Sequence, residues 1–288
     1  MQSWGIRLAR IIVALTVAVG LAACSAIKLG YSSLPNFAYL WLDGYVDFTD
    51  TQAPRVRAAL EELHAWHRRE ELPGLVDLLA RVEQLVPGTI APEQACAIVR
   101  EVQGRLNRVA DRAEPMVVAL ATDLTPRQLR HLERKYRNNN ESFEKDWIAP
   151  DAAQRQEKRY ERMLDRMETI YGRLDAPQRA VLRAGIEQSV DDPQRVLAER
   201  QRRQQDLLQT LRQATQPGAD SRSLLRAYLD RAQQPPDAAS RAWQDALLQA
   251  GCRTFAAVHE TTTPAQREQA VRRLRAYQRD LRELSGQR

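Results

Sequence analysis

The chain is read as all-α, an elongated multi-helix bundle of about nine to eleven helices. Three observations predict this. Leu, Ala, Arg, Gln and Glu dominate, all strong helix formers, while only 12 Gly and few β-branched alternations leave little material for a sheet. Apolar residues recur at intervals of three and four rather than two. A helix-start signal also repeats: a capping residue, a Pro near the first turn and a Gln beyond it.

The N-terminus comes first. Arg7 and Arg10 precede an apolar run, Ile11 to Leu21, of the length of a secretory h-region rather than a bilayer span. No charge occurs from Ile11 to Ile27, which is the lower edge for a membrane-crossing helix, so an uncleaved anchor is the alternative. In both cases the positive-inside rule sends everything after Lys28 outward.

The run ends in Leu21-Ala22-Ala23-Cys24. This resembles the lipobox of bacterial lipoprotein precursors: an apolar residue, two small residues, and the cysteine that is lipidated and begins the mature chain. The resemblance implies loss of residues 1–23, a diacylglyceryl group on Cys24, and membrane attachment through that lipid. Two acyl chains hold stably where one holds weakly. Ser25 stands where an aspartate would imply inner-membrane retention, so the resemblance favours the periplasmic face of the outer membrane.

The expected organisation is a signal peptide over 1–23, a lipidated tether over 24–35, an N-terminal helical half over 36–149 and a C-terminal helical half over 150–288. Ala149-Pro150 marks the boundary. Removing residues 1–23 lowers the formal net charge from +6 to +4, a mild excess over a long chain. Arginines are interleaved with Glu, Asp and Gln instead of gathered on one face, so solvated helix faces are expected and a nucleic-acid partner is not. Besides Cys24 there are Cys96 and Cys252. In an oxidising compartment they can form one disulfide, or they can be two separate buried thiols.

Residues 31–48 hold Tyr31, Phe37, Tyr39, Trp41, Tyr45 and Phe48 and no basic residue. At helical spacing Phe37, Trp41, Tyr45 and Phe48 share one face, opposite Asn36, Asp43 and Asp47. Placed just after the lipid, this helix could lie at the membrane interface; membrane-surface helices usually carry Lys or Arg on the polar face, however, so packing of the aromatic face into the protein's own core is favoured. Asp43 and Asp47 could hold a cation or an arginine, and the arginine is the commoner partner. A helix over 49–71 follows, capped by Asp50 or Thr51 and with Pro54 in its first turn. His64, His67 and Glu71 share a face of it, which is metal-ligand spacing. Val56, Leu60, Leu63 and His67 make one apolar stripe, so a packed, hydrogen-bonded histidine is expected and no metal.

The run Trp41-Leu42-Asp43-Gly44-Tyr45 followed by Trp66-His67-Arg68-Arg69-Glu70-Glu71-Leu72-Pro73 resembles a family of uncharacterised proteobacterial lipoproteins, over residues 24–150 most closely. The resemblance implies a location and a helical fold but no activity. Phe37, Trp41, Tyr45, Trp66, His67 and Arg68 are the candidate binding surface.

Beyond a short helix closed by Pro87-Gly88, the start signal appears at Ala91-Pro92-Glu93-Gln94, Thr125-Pro126-Arg127-Gln128, Asp175-Ala176-Pro177-Gln178 and Thr263-Pro264-Ala265-Gln266. The second, with Leu124, also resembles the LTxxQ motif of small helical periplasmic proteins of the CpxP and Spy type, which bind unfolded chains or stress sensors. Capping chemistry alone accounts for such matches. Helices are expected over 91–121, strained by Pro115, over 125–147, loosened at Asn138-Asn139-Asn140, and over 151–171. Residues 198–206 lack a large apolar side chain, so the helix over 193–215 is expected to project into solvent or bridge the halves. Helices around Leu224 to Leu229, over 238–260 and from Pro264 to about Leu284 complete the chain.

No phosphate loop, nucleophile elbow or HExxH motif occurs. The expected function is non-enzymatic, with no cofactor: binding or scaffolding of another envelope protein or an unfolded client. The alternative is a metal-dependent envelope hydrolase using His64, His67 and nearby carboxylates.

Overall fold

The computed structural model describes residues 28–286, and among these every regular element is helical. Residues 28–32 are helical and lead into α1 (Leu34–Val46). There follow α2 (Ala53–Trp66), α3 (Leu72–Leu85), α4 (Pro92–Thr122), α5 (Pro126–Phe143), α6 (Ala152–Tyr171), α7 (Ala176–Glu187), α8 (Pro193–Ala214), α9 (Ser221–Gln233), α10 (Ala238–Glu260) and α11 (Pro264–Ser285). The signal peptide, the uncleaved-anchor alternative and Cys24 lie outside the described residues. The tether expected over 24–35 is helical from residue 28 onward.

Two π-helical turns interrupt the α-helices, at His67–Glu71 and Glu144–Ile148. Each is followed by one residue and then a proline, Pro73 or Pro150. Proline has no N–H, and its ring crowds the carbonyl four residues back. Widening the turn accommodates it: the Leu72 N–H donates to the His67 carbonyl, and the Ala149 N–H donates to that of Glu144. The helix expected over 49–71 therefore does not end there, and α2, the π turn and α3 run without a break from 53 to 85. The irregularity expected at Asn138-Asn139-Asn140 falls at 144–148 instead. The asparagines stay helical because their side chains bond outward, Asn139 donating to the Tyr45 hydroxyl at 2.8 Å and Asn140 to Gln204 at 2.7 Å.

The apolar stripes meet in two lobes. Val86, Cys96, Tyr171, Leu182, Val258 and Leu274 fill one, drawn from the end of α3, the start of α4, and α6, α7, α10 and α11. Leu129, Leu132, Leu208, Leu211 and Leu225 fill the other, drawn from the end of α4, α5, α8 and α9, and a smaller cluster of Tyr39, Val56 and Leu60 from α1 and α2 adjoins it through Leu120. The chain passes repeatedly between lobes, so the halves 36–149 and 150–288 are not separate packing units. Both halves contribute to both cores. Cys96 and Cys252 are joined by a disulfide with Cα atoms 5.5 Å apart, tying α4 to α10 inside the first lobe.

Each lobe is fastened by a pair of capping boxes. Thr125 Oγ1 accepts from the Gln128 N–H at 3.2 Å while Gln128 Oε1 accepts from the Thr125 N–H at 3.0 Å. Thr49 and Gln52 make the same reciprocal pair, at 3.3 and 3.1 Å, in the turn just before α2, whose N-cap is Gln52 in place of the expected Asp50 or Thr51. The two glutamines then meet: Gln128 Nε2 donates to Gln52 Oε1 and to the Asp47 carbonyl, and Gln52 Nε2 donates to the Asp123 carbonyl. Asp175/Gln178 and Thr263/Gln266 repeat the arrangement in the other lobe, Gln178 donating to the Thr261 carbonyl and Gln266 to that of Arg173, with their amides paired at 2.7 and 3.0 Å. In all four cases the accepting carbonyl lies two residues before the opposite cap. The Ala91 start keeps half of the box, Gln94 accepting from the Ala91 N–H, because alanine has no acceptor.

Arginines cross-link the helices through buried carboxylates. Glu71, 4% exposed, takes Arg105 and Arg108; Glu114, 3% exposed, takes Arg222 and Arg226 and ties α4 to α9. A guanidinium fork fits a carboxylate with two bonds where an ammonium makes a point contact. Of the two expectations for α8 the bridging one holds: it packs on α4 and α5 of the N-terminal half and on α9 of the C-terminal half. Its polar stretch does not project, since Glu199 is buried beneath Arg202 and Arg203, and Asp206 takes Arg231 from α9 at 2.7 and 2.9 Å.

Candidate interaction surface beside the N-terminus

Helix α1 is oriented by what its inner side reaches. Pro35 and Tyr39 are buried, Tyr39 packing on Phe48 and lying 3.4 Å beneath the Arg57 guanidinium. The C-terminus of the helix is closed by Asp43, whose side chain accepts from the Phe48 N–H at 2.9 Å, and by Asp47 in the left-handed region at φ 58°. Arg127 donates to Asp47 at 3.0 Å, so this aspartate takes an arginine as expected.

With the inner side fixed, the aromatic face divides. Phe37 and Trp41 point outward, 58% and 63% exposed, together with Leu29, Leu34 and Leu40 at 68%, 47% and 62%. Packing of this face into the protein's own core is thus corrected. The buried stripe runs through Pro35 and Tyr39, rotated away from Phe37 and Trp41. Tyr45 sits at the margin, its ring 4.8 Å from Trp41 and 6.1 Å from Tyr136 of the second core. Leu29, Leu34 and Leu40 were not singled out by sequence reasoning. The available signal was the absence of any charge between Lys28 and Asp43.

Trp66, His67 and Arg68 lie at the junction of α2 and the π turn, where they meet the beginning and end of the described chain. Tyr31 packs its ring 4.6 Å from that of His64 and shares a 2.8 Å hydrogen bond with His67 Nδ1. Arg68 donates to the Leu284 carbonyl at 2.8 Å, and Lys28 forms ion pairs with Asp280 and Glu283 of α11. Trp66 is half-buried. The six candidate residues therefore form two places: an open apolar ridge on α1, and a polar seam in which His67 bonds Tyr31 and Arg68 bonds Leu284.

That seam has the electrostatics of a packed junction. Burial pushes the Tyr31 hydroxyl up to about 12 and holds His64 and His67 below the ordinary imidazole value. His64 Nε2 is buried with no hydrogen-bond partner. The Arg108 hydrogen bond, aided by charge, keeps the Glu71 carboxyl below its usual range. Of the three groups with metal-ligand spacing, His67 is engaged by Tyr31 and both Glu71 oxygens by arginines. Among the described residues no group of three or more His, Cys, Asp or Glu is placed to hold a metal ion.

A concavity of about 670 Å³ lies where the start of α11 meets Pro87, lined by Thr262, Pro264, Arg267, Glu268, Val271, Arg272 and Arg275. Arg267 is committed to the Pro87 and Gly88 carbonyls at 3.0 and 3.1 Å, and Arg275 to Glu83 at 2.7 Å. The floor is apolar, and the rim carries three arginines together with Glu268, which lies 3.6 Å from Arg272.

These features define a two-lobed, all-α protein. The chain belongs to a family of unknown function (DUF6279), which matches residues 44–234. No curated protein and no solved structure matches it.

Proposed function

We propose that the chain is a lipid-anchored, non-enzymatic protein of the bacterial envelope. Cys24 tethers it to the periplasmic face of the outer membrane, and its helical body binds or scaffolds other envelope proteins or holds unfolded clients. The observation that carries the reading is Leu21-Ala22-Ala23-Cys24, whose cysteine lies four residues before Lys28, the first described residue. Contact with partners is supported by the apolar-floored groove beside Pro87. A helix or an extended apolar segment can lie in such a groove, and arginines on the rim speed the arrival of acidic partners. The LTxxQ resemblance at Leu124 to Gln128 makes a chaperone-like action the sharpest version.

Two measurements test this. Replacing Cys24 with serine is expected to abolish processing and membrane retention; unchanged retention overturns the address. The full chain is expected to suppress light scattering from a denatured, aggregation-prone protein at near-equimolar ratio. No effect at several-fold excess removes the chaperone version, and crosslinking in intact cells then identifies a fixed partner.

A further inference from the structure

We infer that the uncharged outer face of residues 29–44 is a bilayer-docking surface, with Leu29, Leu34, Phe37, Leu40 and Trp41 entering the boundary between headgroups and acyl chains. This rests on the anchored-lipoprotein reading above. The outward residues of this stretch are Leu29, Gly30, Ser32, Leu34, Asn36, Phe37, Leu40, Trp41 and Gly44, and none carries a charge. Backbone hydrogen bonds from the Ser33 N–H to Leu29 and from the Phe37 N–H to Ser33 carry the helix through residue 33. At about 100° per residue the five large apolar side chains then fall within an arc of roughly 140°.

Placement supplies the occupant. Four peptide units separate Cys24 from Lys28, a reach of at most about 14 Å. Lys28 is itself paired with Asp280 and Glu283 of α11, so acyl chains on Cys24 must enter the membrane close to Leu29. The ridge, about 18 Å from Leu29 to Trp41, is thereby brought to the bilayer surface along with the anchor. Indole and leucine side chains suit that boundary. With no cation on the face, docking is apolar insertion, indifferent to anionic lipid and to salt. A second copy of the chain fits less well. The ridge offers on the order of 500 Å², short of the about 800 Å² each partner gives to a stable interface.

The test uses the full processed chain, purified from membranes and reconstituted into phosphatidylcholine vesicles whose acyl chains carry bromine near the glycerol end. Trp41→Phe identifies the emission belonging to Trp41. Bromolipid is expected to quench that component by half or more, with aqueous iodide having little effect, and both results are expected to persist at high salt. Iodide quenching without bromolipid quenching overturns the inference. Mass spectrometry of the same sample separates this failure from that of the anchor: a chain acylated at Cys24 but with Trp41 in water discards the docking face alone, whereas an unacylated chain discards both. A benzophenone photocrosslinker at position 41 in intact cells is expected to label lipid; an adduct to a second copy or another protein overturns the inference.

Discussion

Replacing Gln178 with alanine tests whether paired capping boxes hold the lobes. Gln178 is 2% exposed and makes bonds to three separate segments: the Asp175 N–H at 3.0 Å, the Thr261 carbonyl at 2.9 Å and the Gln266 amide at 2.7 Å. A hydrogen bond contributes about 1 kcal/mol net, and a buried group left unpaired costs about 1–3 kcal/mol. Asp175 and Thr261 are exposed and can turn to water, while Gln266 is half-buried. Two losses near the low end, one larger loss and a small cavity sum to about 3 kcal/mol. Equilibrium unfolding in urea, followed by far-ultraviolet circular dichroism, reads this as a lower midpoint at constant slope. A double-mutant cycle sharpens the test. Gln178→Ala with Gln266→Ala is expected to fall short of the sum by about 1 kcal/mol or more, because both changes break the same amide pair. Gln178→Ala with Gln128→Ala, one in each lobe, is expected to add within about 0.5 kcal/mol. A single-mutant loss below about 1 kcal/mol, or strong coupling between the lobes, refutes the reasoning.

Three further outcomes follow from the same geometry. Reducing the Cys96–Cys252 disulfide opens a loop across 156 residues, which in the chain-entropy view costs up to about 5 kcal/mol; an unchanged urea midpoint in reductant would contradict this. Because burial holds His64 and His67 below 6.5, the unfolded chain takes up protons first as pH falls through that value. Stability is therefore level above about pH 6.5 and declines below it. His67→Phe is expected to flatten the decline, and a midpoint independent of pH between about 7.5 and 5 counts against it. Glu71→Gln is expected to lose about 2 kcal/mol at neutral pH, discounted for the exposed Arg108. The lowered Glu71 pKa gives stability that is present above its unfolded value of 4.5 and lost as pH falls through the folded one, so the gap from the parent must narrow in acid.

The amino-acid sequence by itself determined the helical class and the helix starts at Thr125, Asp175 and Thr263. These are local matters: a cap, a proline and a glutamine act within four residues, and intervals of three and four define a stripe without reference to its neighbours. Tertiary structure alone decided which side of α1 is buried, since Tyr39 and Trp41 are both aromatic and only the position of Arg57 and Phe48 selects one. Tertiary structure also decided that Gln52 meets Gln128 and Gln178 meets Gln266, that Glu114 takes Arg222 and Arg226, and that the chain threads both lobes. Each of these depends on residues tens to more than a hundred positions apart, and periodicity within one helix carries no information about what another helix brings to it.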